Sequence, residues 1–319
     1  MILADFQTQI TVRPAPAVEG DFCDGNPRYI VDAGPFGLVA GPNGVTIGRF
    51  AWITNPDDWD GAPSIASNNG AGPVAGFCHR EQQGLLTQYL QAFGMLIPKG
   101  FGVSLSSGGG FWVRNAGATQ AVPGQKAYAN FADGTVTFAA TGAGATTIMT
   151  GSIAATTNPA FTGSITDDTL TVTAVSAGLI VPGEIIAGTG VATGTMVVSQ
   201  MTPLLTGEAL NGVGRYIVTP AEQNVASGAM TGSYGLLTVT APPTTPLAVG
   251  QPLSGGPTAG TRITGFGTGT GGNGTYYVTP SQTYASGSIT VGSNVETKWI
   301  AMSSGLQNEL VKISDKPLG

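Results

Sequence analysis

The feature that most constrains the fold is a pattern that occurs twice. Leu170-Thr171-Val172-Thr173-Ala174 returns as Leu237-Thr238-Val239-Thr240-Ala241, and Tyr216-Ile217-Val218-Thr219-Pro220 returns as Tyr276-Tyr277-Val278-Thr279-Pro280. Between these anchors, Val181-Pro182-Gly183 corresponds to Ala248-Val249-Gly250, and residues 188–195 (GTGVATGT) correspond to 254–261 (SGGPTAGT). Both copies close on a related segment, 226–231 (ASGAMT) and 285–290 (ASGSIT), and the first copy is longer around Leu204 to Asn211. Self-similarity of this kind marks one supersecondary unit used twice. The Leu-Thr-Val-Thr-Ala runs alternate apolar and polar residues with period two, which gives a strand one buried and one wet face. Gly271-Gly272-Asn273-Gly274 has the residues of a hairpin turn that requires positive φ. The pattern predicts two small all-β modules, residues 146–232 and 233–291, each of roughly four to six strands.

Composition explains how such modules stay in solution and what surrounds them. Charged residues make up 9% of the 319-residue chain, and glycine contributes 50 residues, against roughly 25% charge in ordinary soluble domains. A dense charged surface is therefore unavailable. Thr, Ser, Asn and backbone groups must face water, as short strands joined by tight turns allow. The 41% hydrophobic content lies in strand-length runs, which argues against disorder. Residues 1–145 hold three of the four tryptophans (Trp52, Trp59, Trp112), the single His79, both cysteines and most of the charge. That style stops near residue 146 and resumes at 292–319 with Glu296, Lys298, Trp299, Glu309, Lys312 and Asp315. One domain, 1–145 plus 292–319, is thus predicted to be interrupted by the repeats, an arrangement tolerated at exposed loop tips.

The outer domain also reads as β. Ile97-Pro98-Lys99-Gly100-Phe101 and Val122-Pro123-Gly124-Gln125-Lys126 place proline and glycine where a strand bends at a barrel corner. One helix is predicted, Arg80 to Phe93, because Leu85, Leu86, Tyr89, Leu90 and Phe93 share a helical face; Gly84 weakens it, and an extended arm is the alternative. The segment Thr11 to Val18 is proline-punctuated and extended, suited to lying across a neighbouring subunit or adding a strand to it.

Several chemistries are disfavoured. The net charge is −6 with lysine and arginine scattered, so no basic stripe exists to neutralise phosphates and nucleic acid is not an expected partner. No apolar run approaches a membrane span, and Met1 to Asp5 lacks the basic start of a secretory signal. Cys23 and Cys78 read as two reduced, partly buried thiols, with a disulfide between them the alternative. A single histidine forbids a histidine metal cluster and leaves one candidate for a Ser/His/Asp site, without a G-x-S-x-G elbow. Asp57, Asp58 and Asp60 flank Trp59 without EF-hand spacing, and read as a solvated loop rather than a calcium site. Glu19 and Asp21 imitate a glycosidase pair by type alone. The glycines around Gly188 read as turns, since no βαβ pattern or P-loop lysine accompanies them. No cofactor and no enzymatic activity are expected.

Arg28, Arg49, Arg80 and Arg114 stand out in so charge-poor a chain, each near an aromatic residue (Tyr29, Phe50, Phe77, Trp112). Arginine beside an aromatic ring is the composition of protein–protein hot spots; ordinary packing of arginine over a barrel face is the alternative.

A family resemblance runs through Val18-Glu19-Gly20-Asp21-Phe22, Asn26-Pro27-Arg28, residues 40–52 (AGPNGVTIGRFAW), 76–83 (GFCHREQQ), 95–100 (MLIPKG), 111–117 (FWVRNAG), 124–130 (GQKAYAN) and Glu296-Thr297-Lys298-Trp299 followed by 305–314. Together these resemble the structural cement, or head decoration, proteins of tailed bacteriophage capsids. The resemblance implies a β-barrel-like capsid-binding domain, homotrimers, the major capsid protein as partner and a place on the outer surface of the virion. Phe22, Arg28, Arg49, His79, Arg80, Glu81, Trp112 and Arg114 are then the candidate capsid or subunit contacts. The alternative is a head or tail fibre protein binding host glycans through the repeats, for which Tyr216, Tyr234, Tyr276, Tyr277 and Tyr284 are the available aromatic platforms.

Overall fold

A computed structural model describes residues 17–34, 36–54, 63–70, 72–81, 94–156, 159–201, 204–220 and 223–316. The fold is all-β, and no helix among the described residues is long and apolar enough to cross a membrane. Residues 82–93, and with them most of the predicted helix, lie outside the described residues; Arg80 and Glu81 are not helical. The chain forms two compact units, 1–144 with 295–319, and 145–294.

The first unit runs through β1 (Tyr29–Ile30), β2 (Leu38–Ala40), β3 (Val45–Thr46), β4 (Phe50–Thr54), β5 (Ser64–Ser67), β6 (Gly76–Phe77), β7 (Leu96–Ile97), β8 (Ser106–Gly108), β9 (Gly110–Arg114), β10 (Lys126–Asn130) and β11 (Val136–Ala139). The second carries β12 (Thr146–Thr156), β13 (Ala160–Asp167), β14 (Thr169–Ala177), β15 (Ile185–Gly188), β16 (Met196–Gln200), β17 (Gly214–Thr219), β18 (Gln223–Ala241), β19 (Leu253–Ser254), β20 (Arg262–Phe266), β21 (Gly274–Thr279) and β22 (Tyr284–Gly292). β23 (Asn294–Ala301) and β24 (Leu310–Ser314) complete the first.

In the first unit, five strands lie in the order β11-β10-β23-β24-β9, and a parallel bridge from Asn115 to Val136 joins the two edges, so this sheet closes on itself like a small barrel. Period-two alternation fills it. Phe111 and Val113 on β9, and Val311 and Ile313 on β24, point inward and are fully buried, while Trp112, Arg114 and Lys312 point outward. Asn115 is buried at the seam and uses its amide fully, donating to the carbonyls of Thr119 (2.8 Å) and Gly305 (3.2 Å) and accepting from the Gly117 amide (2.9 Å). A six-stranded sheet, β1-β8-β6-β4-β5-β2, shares the aromatic core through Phe50 and Phe77, which meet Trp299 and Phe111 at ring distances of 5.2 and 4.7 Å. The predicted barrel corners hold, with Gly100 and Gly124 at φ +80° and +91°.

The second unit contains two rings with one topology. In the first ring β13, β14, β17, β16, β15 and the N-terminal part of β18 each pair with the next, and β18 returns to β13, closing a six-stranded barrel. In the second, β12, the C-terminal part of β18, β21, β20, β19 and β22 follow the same order, with a Pro252–Arg262 bridge between β19 and β20. Each has its own core, one around Phe161, Leu170 and Tyr216, the other around Met149, Leu237 and Tyr276. Equivalent residues make equivalent bonds. The Tyr216 hydroxyl donates to Gly212 O at 2.6 Å and that of Tyr276 to Gly272 O at 2.7 Å. Thr195 and Thr261 hydroxyls cap the carbonyls three residues back at 2.7 and 2.6 Å. Both Thr-Pro bonds, 219–220 and 279–280, are cis.

The division at 232/233 expected from sequence does not match this arrangement. β18 is one 19-residue strand that ends the first barrel and continues into the second. β12, expected in the first module, instead pairs with β18 beyond Tyr234 and with β22, so the second barrel is itself interrupted by the first.

Candidate functional site

Residues 20–23 are laid along β9 and pair with it antiparallel. Gly20 N–H donates to Trp112 O (2.7 Å), Trp112 N–H to Asp21 O (2.8 Å) and Cys23 N–H to Gly110 O (3.1 Å), with Phe22 bridged to Phe111. Glycine is required at position 20: its φ is +88°, and a Cβ there would sit 2.7 Å from Ile47 Cγ2 and 3.2 Å from the Arg80 nitrogen.

This segment gathers seven of the eight candidate residues. Arg114 pairs with Glu19 at 3.2 Å and also donates to Asn308 O at 2.8 Å. Arg80 pairs with Asp21 at 3.3 Å. The Arg28 guanidinium lies 3.5 Å above the Phe22 ring and donates to Asp24 O, and Phe22 packs on His79 (5.0 Å) and Phe111 (5.6 Å). Trp112 carries the Lys312 ammonium 5.1 Å from its ring. His79 is buried between Ser106 Oγ, 3.0 Å from Nδ1, and Glu81 Oε2, 3.4 Å from Nε2. Burial pushes the His79 pKa down, Glu81 opposes this, and Arg28 reinforces it. Arg49 sits apart, bound to Asp133. Glu19 and Asp21, alike in type to a glycosidase pair, each serve a different arginine. Their role was invisible in sequence because the partners lie 95 and 59 residues away.

The segment exposes large apolar side chains beside Arg28 and Asp32. Val18, Phe22, Tyr29, Ile30 and Phe36 are 43%, 36%, 54%, 59% and 49% exposed. Single exposed apolar residues are ordinary; these five fall within one stretch of the chain, residues 18–36. Lys316 lies 4.5 Å over Tyr29, so cation and ring alternate along it as in protein–protein contacts. β1 pairs only with β8 among the described residues, which leaves a strand edge beside this surface.

Elsewhere the chemistry is sparse. Among the described residues no group of three or more His, Cys, Asp or Glu side chains could hold a metal, and Asp57, Asp58 and Asp60 lie outside those residues. Cys23 and Cys78 are free thiols whose pKa values burial raises to about 11 and about 12. Of the tyrosines considered as glycan platforms, Tyr216, Tyr234 and Tyr276 are buried, and Tyr277 and Tyr284 are half-buried.

Residues 6–167 match the family model of the XM1 gp53 minor capsid protein, and over half of the chain falls in that span, so the chain belongs to this family of phage structural proteins. No curated protein gives a significant match.

Proposed function

We propose that the protein decorates and reinforces the outer surface of the capsid, binding the major capsid protein through the first unit as a homotrimer and carrying out no catalysis. The observation behind this reading is the set of exposed apolar residues between Val18 and Phe36, in a segment held to β9 by the Arg114–Glu19 pair and to Arg80 by Asp21, and edged by Arg28 and Lys316. Many identical contacts on a symmetric shell add by avidity, so modest single contacts suffice. The open edge of β1 supports pairing between copies. The Ser106–His79–Glu81 row is in keeping with a structural role, because Ser106 is wholly buried. The second unit is separable in this reading. Its ends are tied together, with Ala145 N–H donating to Asn294 Oδ1 at 2.8 Å and Ser293 N–H to Ala145 O at 2.9 Å.

The test combines Arg28→Ala, Tyr29→Ala and Ile30→Ala. All three side chains are exposed, so stability should change by less than about 1 kcal/mol, whereas loss of one true hot spot costs at least about 2 kcal/mol of binding, roughly 30-fold. Occupancy measured by co-sedimentation with capsids should fall by that factor or more, and sedimentation velocity of the free wild-type protein should report a trimer. Unchanged occupancy, or a monomer at micromolar concentration, contradicts the proposal.

A further inference from the structure

One turn device recurs through this chain: a side-chain oxygen accepts the backbone N–H three residues earlier. Gln125 serves Val122 (2.9 Å), Glu208 serves Leu205 (2.7 Å), Glu309 serves Leu306 (2.8 Å), Glu184 serves Val181 (2.9 Å) and Gln251 serves Ala248 (2.9 Å). Each needs a single acceptor oxygen. Where the acceptor is a carboxylate, its charge must be accommodated. Glu208 has Arg215 at 2.9 Å, and the Leu205 amide with that guanidinium holds its pKa down. Glu309 is exposed to water.

Glu184 has neither solution. Its side chain is fully buried, and its second oxygen, Oε1, has no hydrogen-bond partner. That oxygen is pressed against β18 at Gly232, where an added Cβ would stand 1.3 Å from it. The titratable groups that face it are the hydroxyls of Tyr216 on β17 and Tyr234 on β18, both neutral and both raised in pKa by burial and, further, by Glu184. No cation acts on Glu184 among the described residues. At the equivalent turn of the second barrel the residue is Gln251, also buried, which supplies the same oxygen from a neutral amide. A protonated carboxyl is the closest chemical match to that amide.

We propose that Glu184 is held as a neutral carboxylic acid in the folded chain, and that its deprotonation as pH rises loosens the first barrel at the turn 181–184 and at β18 while leaving the second barrel closed. A buried carboxylate without a partner is costly enough that the group keeps its proton or the structure opens. Burial raises the Glu184 pKa from 4.5 to about 7, opposed only by the Val181 amide. With the folded pKa above the unfolded one, the contribution to stability is complete below the unfolded value and is lost as pH rises toward and through about 7.

Amide hydrogen exchange on the full chain tests this. The opening equilibrium of first-barrel amides in β14, β15 and β17 should rise by up to about tenfold per pH unit between the unfolded value of 4.5 and the folded value of about 7, and level off above it, after correction for intrinsic exchange. Glu184→Gln should remove that rise, and Gln251→Glu should create one in the second barrel. The infrared spectrum of the wild type near neutral pH should show a protonated-carboxyl stretch that Glu184→Gln lacks. The proposal is overturned if Glu184→Gln keeps the wild-type pH dependence, or if the difference spectrum shows Glu184 as a carboxylate in acidic buffer where the chain is folded.

Discussion

Trp299→Ala is expected to destabilise the first unit by about 3–5 kcal/mol, the range for removing a buried large aromatic side chain. Trp299 is 2% exposed, on a strand in the middle of the five-stranded sheet, with its ring 5.2 Å from Phe50. Its indole N–H donates to the Gly109 carbonyl at 3.0 Å, so truncation leaves both a cavity and an unpaired buried acceptor. Domains of this kind are stable by only about 5–15 kcal/mol, so a loss of this size brings the unit close to unfolding. All tryptophans belong to the first unit, and five of the eight tyrosines (Tyr216, Tyr234, Tyr276, Tyr277 and Tyr284) to the second. Denaturant titration followed by fluorescence of Trp52, Trp59 and Trp112 should therefore show a large downward shift in midpoint, with the second unit's transition unchanged. A shift worth less than about 1 kcal/mol would mean that Trp299 does not pack as described.

Gly134→Ala should be nearly as damaging for a different reason. Gly134 lies between β10 and β11 with φ +68°, and an added Cβ would stand 2.1 Å from the Phe50 carbonyl oxygen and 3.1 Å from that of Asn68. Both obstacles are backbone, and Phe50 N–H donates to Gly134 O at 3.0 Å, so neither strand can retreat without breaking the other's bond. Left-handed strain of about 1–2 kcal/mol and overpacking of about 1–3 kcal/mol add to roughly 3 kcal/mol or more. Gly124→Ala separates the two contributions. Gly124 has φ +91° but nothing within 4 Å of its absent Cβ, so only the strain should appear, about 1 kcal/mol. Equal losses at the two positions in thermal melts would show that the clash is not real.

The legible parts of this fold were those written locally. Period two in Leu170 to Ala174 and in Phe111 to Arg114 gives strands whose inward residues are the buried ones, and glycine marks the bends at 100 and 124. Pairing is not local, and the assignment of β12 depends on it. Thr146 pairs with Gly292, so nothing within reach of a strand-length window assigns β12 to the second barrel. A signal was nevertheless present: Met149-Thr150-Gly151-Ser152-Ile153 and Phe161-Thr162-Gly163-Ser164-Ile165 are matching first strands. Ile153 and Ile165 pair with the equivalent leucines, Leu237 and Leu170. The candidate site was legible as residue types, arginine beside aromatic, but not as an arrangement. Glu19 and Asp21 bring Arg114 and Arg80 together only because the segment lies along β9. The buried carboxyl of Glu184 was unreadable until the twin turn at Gln251 could be superposed on it by topology.

The claim that the first unit grips the shell is tested most directly by electron cryo-microscopy of the phage particle that carries this protein. The predicted result is density on the outer face of the capsid, arranged in threes, with residues 18–36 of the first unit against the major capsid protein and the second unit making no contact with the shell. Density on the inner face, or a shell contact made by the barrels of residues 145–294 in place of residues 18–36, would contradict it.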